Sequence, residues 1–587
     1  MQTAAAFLKF LDDMHVTVFE EDEFSLLLTS CDEPALWAPF QSADGSVLVA
    51  LCGRIALEQR QWDDASRVEG SGGLACRHIF KSYRDEGINK ICDLNGNFVL
   101  LIFDRSKRVF FLVTDRWGML PAFKSEVAGA VAFSSHPDAL AGAIGESRNL
   151  DLTSLAEFIL ASKLSFPHTY FKRIKAVAQA SLTTLALSEQ GARLESTKPY
   201  FSYQYTACPE EKLGELADEL AAGIKAAVSK RTLPLLGKCG LALSGGLDSR
   251  TVLCAIPDRR ELLVFCFFDE ENREFRTARA IARAVGIEVI PFRRGSDYYA
   301  DSAALGVKIS AGMGCIASNH FLGFRNPLRD LGVKNLLTGC YCDYVFKGWN
   351  VNKRVNRWTS RESLASFDFE YYTRHVPTKS NLWAAVQDRL NGLFPPDLRR
   401  YDTEERVFEV GFRRDFPLFY EEDNAGRVIL QRVMPWYVVM AENALMSVYL
   451  KMSSAMRLNR TLFARAVQAV CGSRVSRIPD ANTGAPVNAT LAREAVSSLF
   501  CRLGSRLRRL KPSRATSGSW LNWDYYLTHS EKVQSLWEPR NGDAEEVFCQ
   551  VLGKEGFSRD LHAYQGARLA LLMRLFTLKL WFDQRPV

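Results

Sequence analysis

Short apolar runs broken by turn residues fill the first third of the chain. SVLVALCGRIAL (46–57), NFVLLIFDR (97–105) and RVFFLVTDRWG (108–118) read as strands, with Ser106 and Lys107 at a hairpin between the last two. AVAFSSH (130–136) is a further strand, and DLTSLAEFILAS (151–162) reads as a helix capped by its Asp or Thr. This is a mixed sheet-and-helix region. Between 190 and 213 the sequence turns polar and irregular, and the main boundary falls there, dividing the chain into 1–205 and 206–587. ELADELAAGIKAAVSKR (215–231) then has the spacing of an amphipathic helix.

Beyond it the pattern becomes an alternation. GLALSGG is a short buried strand ending in glycines, and DSRTVLCAI starts a helix. ELLVFCFF (261–268) is a second strand, FRTARAIARAVG (275–286) a helix closed by glycine, and IEVIPF (287–292) a third strand. VKNLLTG (333–339) is a later strand running into another glycine turn. This order predicts a parallel sheet with right-handed crossovers. From about 360 onward the pattern is mainly helical.

Composition narrows the picture. A chain of 587 residues predicts about two to four domains. A net charge of +7 is mild for this size and does not argue for nucleic acid. The local exception is 493–514, with Arg493, Arg502, Arg506, Arg508, Arg509, Lys511 and Arg514 against Glu494. That segment reads as a solvated basic face, or as a contact with an anionic or membrane surface. The 14 cysteines form no Cys-x-x-Cys pair, and Cys340 with Cys342 lacks a second pair of zinc ligands. Unpaired cysteines point to a reducing cytoplasm. The N-terminus lacks the pattern of a signal peptide, and no apolar run is long enough for a membrane span.

The chemistry concentrates at Ser244-Gly245-Gly246-Leu247-Asp248-Ser249, where strand, glycine turn and helix start follow directly. Glycines let the backbone approach a phosphate, turn amides form an anion nest, and the helix N-terminus adds partial positive charge. Ser244 and Ser249 can donate hydroxyl hydrogen bonds. Asp248 repels phosphate unless a Mg²⁺ ion bridges them. The string is neither a Walker A loop nor Gly-x-Gly-x-x-Gly. A strand-to-helix turn using glycine for packing is the bland alternative.

Ser-Gly-Gly-x-Asp-Ser in this setting resembles the PP-loop ATP pyrophosphatases. The resemblance implies that the loop holds the pyrophosphate of ATP while a substrate oxygen attacks the α-phosphate. The stretch DLNGNFVLLIFDRSKRVFFLVTDRWGMLPAF (93–123) is similar to one in asparagine synthetases, through Leu94, Asn95, Gly96, Phe98, Asp104, Asp115, Arg116, Gly118 and Pro121. It belongs there to a glutaminase domain of the N-terminal-nucleophile type. LLTGCYCDYVFKG (336–348) resembles the same family's Ser-Gly-x-Gly-x-Asp-Glu-x-Phe-Gly-Gly. β-Lactam synthetase and lasso-peptide cyclases are relatives of that family. The resemblance implies an N-terminal αββα sandwich (1–205) followed by a Rossmann-like PP-loop domain with a helical C-terminal part (206–587). It puts Leu243, Ser244, Gly245, Gly246, Asp248, Ser249, Phe267, Thr338 and Gly339 on ATP, and Asp248 with Asp343 on Mg²⁺.

The chain also departs from the family. The glutaminase nucleophile is a cysteine directly after the initiator Met; here that residue is Gln2. The glutamine-holding Asn-Gly-Glu-Ile-Tyr-Asn is CGRIAL (52–57), with Cys52 and Arg54 in place of polar groups. This predicts an inactive glutaminase kept as scaffold; Cys52 as substitute nucleophile is the weaker reading. In the second motif Cys340 stands at the variable position and Tyr341 at the second glycine. Either can assist deprotonation of an attacking amine, or simply pack. The family's catalytic Lys has its counterpart region in SRIPDANTGAPVN (476–488), which offers Arg477, with Lys347 as a rival. The segment that shapes the family's acceptor pocket is blurred at 434–458, which argues against aspartate as substrate.

The expected activity is therefore ATP-dependent amide formation through an acyl-adenylate, with ATP and Mg²⁺ as cofactors. A small-molecule or peptide carboxylate and an amine or ammonia would be the substrates. Asparagine synthesis fed by external ammonia and a catalytically silent nucleotide-binding regulator are the alternatives. A homodimer is one assembly the sequence leaves open.

Overall fold

The computed structural model describes residues 8–585 apart from 22–23, 128–129, 189–190, 357, 369–381, 422, 509–517, 519, 539–541 and 565. Two large sheets organise a mixed α/β chain. The first is antiparallel and seven-stranded, in the order Gly191–Pro199, Ser181–Ser188, Val109–Thr114, Gly96–Asp104, Val47–Ile55, Phe40–Ser42, Gly70–Ser71. Its centre is the three predicted apolar runs: Val47 pairs with Asp104 through to Ile55 with Gly96, and Val99 pairs with Thr114. Both faces of these strands are largely covered, which is why they read as near-continuous apolar runs rather than as an alternation. The predicted strand at 130–136 forms instead, as Ala130–Ser134, one member of a separate three-stranded sheet with Lys175–Ala176 and Phe123–Val127.

The second sheet is parallel and five-stranded, ordered Val289–Arg293, Leu262–Phe268, Cys239–Ala242, Asn335–Thr338, Trp436–Val438. Four of these strands follow the predicted alternation. Trp436–Val438 was hidden in a helical-looking stretch, because a three-residue strand with every side chain buried shows no period. The chain runs outward from Cys239–Ala242 through two strands and returns to the other side at Asn335–Thr338. The loops after these two neighbours therefore leave side by side at the strands' C-terminal ends, where ligands of open parallel sheets bind.

One hydrophobic core runs through both sheets, from Phe40 and Val49 to Leu241, Leu337 and Val467. The junction is also polar. Tyr437 donates to the Ile55 carbonyl at 3.2 Å, and Asn443 N donates to Asn95 Oδ1 at 2.7 Å. Arg231, at the end of the predicted helix that runs Leu213–Arg231, pairs with Glu442 at 2.9 Å and donates to the Ala441 carbonyl at 2.7 Å; both side chains are buried. The C-terminal helix Leu569–Asp583 is buried almost all round, and Trp581 Nε1 donates to Asp138 at 2.9 Å. Among the described residues no helix is long and apolar enough to cross a membrane. Of the basic segment, Arg493 and Arg502 lie exposed on the helix Leu491–Arg508, while Arg509, Lys511 and Arg514 lie outside the described residues.

Candidate nucleotide site

The strand Cys239–Ala242 delivers the glycine turn, and Gly246 caps the helix Leu247–Ala255. Leu243 N still donates to the Phe265 carbonyl at 2.8 Å, so the turn begins at Ser244. Ser249 Oγ accepts from Ser244 N at 2.9 Å and lies 2.9 Å from Ser244 Oγ, while Gly246 N donates to Ser244 Oγ at 3.2 Å. The two hydroxyls expected on phosphate thus tie the turn to itself and fix its shape. A Cβ on Gly245 would lie 2.5 Å from Ala481 Cβ, so packing alone demands glycine there. At Gly246 the nearest atom to such a Cβ is Ser244 Oγ at 3.3 Å, a tight contact that the hydroxyl would have to yield to.

Sequence reading missed what holds the turn in place. Arg250 is fully buried and donates to the carbonyls of Gly246 (3.2 Å), Gly245 (3.1 Å), Ile478 (2.8 Å) and Pro479 (3.1 Å). Ala481 N donates to the Gly245 carbonyl at 3.0 Å. One guanidinium, with donors in a rigid fork, clips the 476–488 segment onto the turn. The only sequence signal was an Arg inside a helix that otherwise reads as core.

The second loop follows Asn335–Thr338. A Cβ on Gly339 would lie 2.6 Å from Asp248 Cβ, so this glycine permits the two loops to touch. Tyr341, at the position where the motif has glycine, takes φ +72°, a left-handed conformation that costs a residue with a Cβ about 1 kcal/mol or more. It caps the short helix Cys342–Phe346, which carries Asp343 in its first turn. Lys347, one turn on, puts Nζ 2.6 Å from Asp343 Oδ1 and 2.8 Å from Asp248 Oδ2. Asp343 is open to solvent on one side (55 % exposed), whereas Asp248 is 18 % and Lys347 13 % exposed. Asp248 Oδ1 is buried and takes no hydrogen bond.

Burial pushes the Asp248 carboxyl up to about 7 against the pull of Lys347, with Asp343 adding repulsion. Burial works against ionisation of Asp343 too, but there the Lys347 ammonium overrides it and holds the carboxyl below its usual range. Burial disfavours the Lys347 ammonium, and the two carboxylates outweigh that and keep it charged. A Mg²⁺ ion bridging Asp248 and Asp343, as expected from the sequence, does not fit this arrangement, because one oxygen of each carboxylate already holds Lys347. Among the described residues no group of three or more His, Cys, Asp and Glu is placed to hold a metal ion.

The remaining candidates scatter around this centre. Thr338 Oγ1 accepts from Trp436 Nε1 at 3.1 Å and from Cys340 N at 3.4 Å. Burial pushes the Cys340 thiol up, and Tyr341, 2 % exposed, is likewise pushed above the usual phenol range. Both are poor proton acceptors as they stand. Arg427, which sequence reading did not single out, lies 4.6 Å over the Tyr341 ring and 5.1 Å over that of Tyr344, and pairs with Glu421. Arg477 is exposed at the end of the helix Thr461–Ser476, so it is Lys347 that reaches the paired carboxylates. Phe267, near the end of Leu262–Phe268, packs against Phe321, Phe324 and His320.

In the first sheet the family-like residues serve the fold. Asp115 accepts from the backbone N–H groups of Phe98, Trp117, Met119 and Leu120 and staples the turn after Val109–Thr114. Burial pushes its carboxyl up to about 6 against those four donors. Arg54 is bound to Asp32 at 2.5 Å, between the rings of Trp37 (4.6 Å) and Tyr437 (5.2 Å). Cys52 sits in the strand Val47–Ile55, its thiol pushed up by burial although Arg432 pulls it down. Gln2 lies outside the described residues.

Comparison with known proteins bears on the whole. A glutamine amidotransferase domain matches residues 37–201. Asparagine synthetase [glutamine-hydrolyzing] 2 of Bacillus subtilis is 24 % identical over 257 residues, covering 42 % of this chain and 34 % of that protein. Asparagine synthetase [glutamine-hydrolyzing] 3 of the same organism is 26 % identical over 179 residues, covering 30 % and 27 %. The chain thus spans well under two thirds of the length of these relatives. A solved B. subtilis glutamine phosphoribosylpyrophosphate amidotransferase covers 50 % of this chain and 62 % of its own at 12 % identity, with a TM-score of 0.23. The matching domain and these partial likenesses support a relation to the asparagine synthetase-like family.

Proposed function

We propose that the chain is an ATP-dependent carbon–nitrogen ligase that activates a carboxylate as its acyl-adenylate. In this reading 1–205 is a glutaminase-like scaffold of N-terminal-nucleophile type and 206–587 a Rossmann-like PP-loop synthetase domain. The observation that carries it is the meeting of two loops from neighbouring parallel strands. One offers backbone N–H groups at a helix N-terminus; the other brings Asp343 and Lys347 against Asp248.

ATP binds with its pyrophosphate on the Ser244–Gly246 turn, where the nest and the helix N-terminus favour negative charge. A carboxylate oxygen attacks the α-phosphorus, the bond to the bridging oxygen breaks, and pyrophosphate leaves. An amine then attacks the acyl carbon, AMP leaves, and the amine's proton goes to solvent or a neighbouring base. Lys347, held between Asp248 and Asp343, is assigned to meet the developing negative charge, a role in which preorganised donors lower barriers most. The Cys52 thiol, pushed up by burial, supports a nitrogen source other than glutamine hydrolysis through that residue. The substrates are then a small-molecule or peptide carboxylate and an amine or free ammonia, in a specialised biosynthetic pathway. A second reading, a silent nucleotide-binding regulator, is favoured by the same Lys347, which both carboxylates already hold.

Pyrophosphate release from ATP with a panel of carboxylates and amines decides between these. The ligase reading expects release with at least one carboxylate and loss of it in Asp248→Ala. ATP binding with no release for any carboxylate favours the regulator instead.

A further inference from the structure

We propose that Lys347 is a built-in counter-ion whose ammonium takes the place of a divalent cation between Asp248 and Asp343, so that nucleotide binding here needs no metal bridging those carboxylates. The inference rests on the nucleotide reading of the site and specifies how its charge is balanced.

Position and contact argue it together. Aligned on the motif that LLTGCYCDYVFKG resembles, Lys347 falls on the first of the two closing glycines, and Gly348 keeps the second with φ +64°. A side chain is thus present where the motif has none. It lies four residues after Asp343, so the short helix places the two on one face. Gly339 against Asp248 brings the loops close enough for one Nζ to reach both carboxylates, at 2.8 and 2.6 Å. The Lys347 ammonium lies 5.9 Å from the centre of the Phe463 ring, and that ring stacks on Phe346, so packing holds the side chain in place.

Charge gives the consequence. With glycine at 347 the two neighbouring carboxylates would have no cation between them and would favour a divalent ion. With lysine, one oxygen of each is engaged by the ammonium. A bridging Mg²⁺ would have to expel a buried ammonium that has no other carboxylate among its recorded partners. The unpartnered Asp248 Oδ1 remains for a donor or for a cation held by one carboxylate only.

Two measurements on the full-length chain test this. Manganese is titrated into nucleotide-free protein and followed by electron paramagnetic resonance. Wild type is expected to show no site requiring both Asp248 and Asp343; Lys347→Gly is expected to gain one that Asp343→Asn removes. Affinity for a non-hydrolysable ATP analogue is then measured with Mg²⁺ and with a chelator. Wild type should change less than about threefold and Lys347→Gly more than about tenfold, a difference well outside binding error. A wild-type manganese site lost in Asp343→Asn, or wild-type analogue binding that collapses on chelation, overturns the proposal without any Lys347 variant having to fold. An analogue that binds under no condition refutes the nucleotide reading instead, and the manganese titration still decides the claim about Lys347.

Discussion

The two large sheets treat buried charge in opposite ways. In the antiparallel sheet Asp104, Asp115 and Arg54 are answered by their own chain. Asp104 accepts from Tyr83, Ser106 and Lys107, Asp115 accepts from four backbone donors, and Arg54 donates to Asp32 with two aromatic rings around it. At the ends of the parallel strands the balance is incomplete: Asp248 keeps a buried oxygen without a donor and a carboxyl pushed up to about 7. A buried polar group with all its partners specifies a fold, whereas one held without them is a cost that folding alone does not explain. In the proposed function the first sheet is scaffold and the second carries the chemistry, even though the glutamine amidotransferase domain match falls on the first.

The largest test of that contrast is a pair of substitutions. Asp248→Ala is expected to lower carboxylate-dependent pyrophosphate release by about 100-fold or more, the scale seen when a preorganised charged group is lost from an active site. Arg54→Ala is expected to leave turnover within about threefold while lowering stability by about 2 kcal/mol, through the lost ion pair and ring contacts. Reversed results, with Arg54→Ala silencing a stable enzyme and Asp248→Ala harmless, would exchange the roles of the two sheets.

A test of stability rather than turnover probes the junction that makes the two sheets one body. Glu442→Gln keeps the shape of the side chain but leaves the fully buried Arg231 without its counter-charge. Breaking a buried pair from one side costs about 3–5 kcal/mol, so chemical denaturation should show a loss of that order with the slope unchanged. A loss confined to one of two separable transitions would mean that the sheets unfold independently.

Much of this was legible in the sequence, for identifiable reasons. The apolar runs at 46–57, 97–105 and 108–118 became central strands because length and continuity are what doubly covered strands require. The alternation from 239 to 292 became parallel strands because strand–helix–strand order leaves little other choice. The glycine turn was found from spacing alone. Trp436–Val438 was not, being too short for any period, nor were the three-dimensional roles of Arg250 and Arg427. Their partners include carbonyls of Ile478 and Pro479 and the rings of Tyr341 and Tyr344, far away in sequence, which no local pattern encodes. Lys347 was named only as a rival to Arg477, because the contact of Gly339 with Asp248, which brings both carboxylates within reach of one ammonium, is invisible along the chain.

Acid should loosen both halves by a modest amount. Burial pushes His136 down to about 3 and His320 down to about 3, so both are neutral in the native chain. Unfolded, each takes a proton near pH 6.5. Their contribution is therefore complete above pH 6.5 and is lost as pH falls from there towards 3. At pH 5 each histidine should cost about 2 kcal/mol relative to pH 7.5. His136 uses both ring nitrogens, accepting from Ala139 N at 3.3 Å and bonding the Lys308 carbonyl at 2.8 Å. His136→Gln should therefore lower the melting temperature at pH 7.5 yet flatten its fall between pH 6.5 and 5. An equally steep fall in the variant would assign the acid sensitivity elsewhere.

The smallest expected effect bears most directly on the first sheet. Cys52 lies on the strand that replaces the family's glutamine-holding segment, so it is the one thiol there with a claim to chemistry. A thiol attacks as thiolate, and burial keeps this one protonated at neutral pH despite the Arg432 charge nearby. Cys52→Ala should leave pyrophosphate release unchanged, and glutamine hydrolysis at background in wild type and variant alike. Hydrolysis in wild type that disappears with Cys52→Ala would show that Arg432, reaching across from the second half of the chain, activates the thiol more than burial suppresses it. The antiparallel sheet would then be a second reaction centre, and the division between scaffold and site would fall within that sheet, between Arg54 and Cys52, rather than between the two sheets.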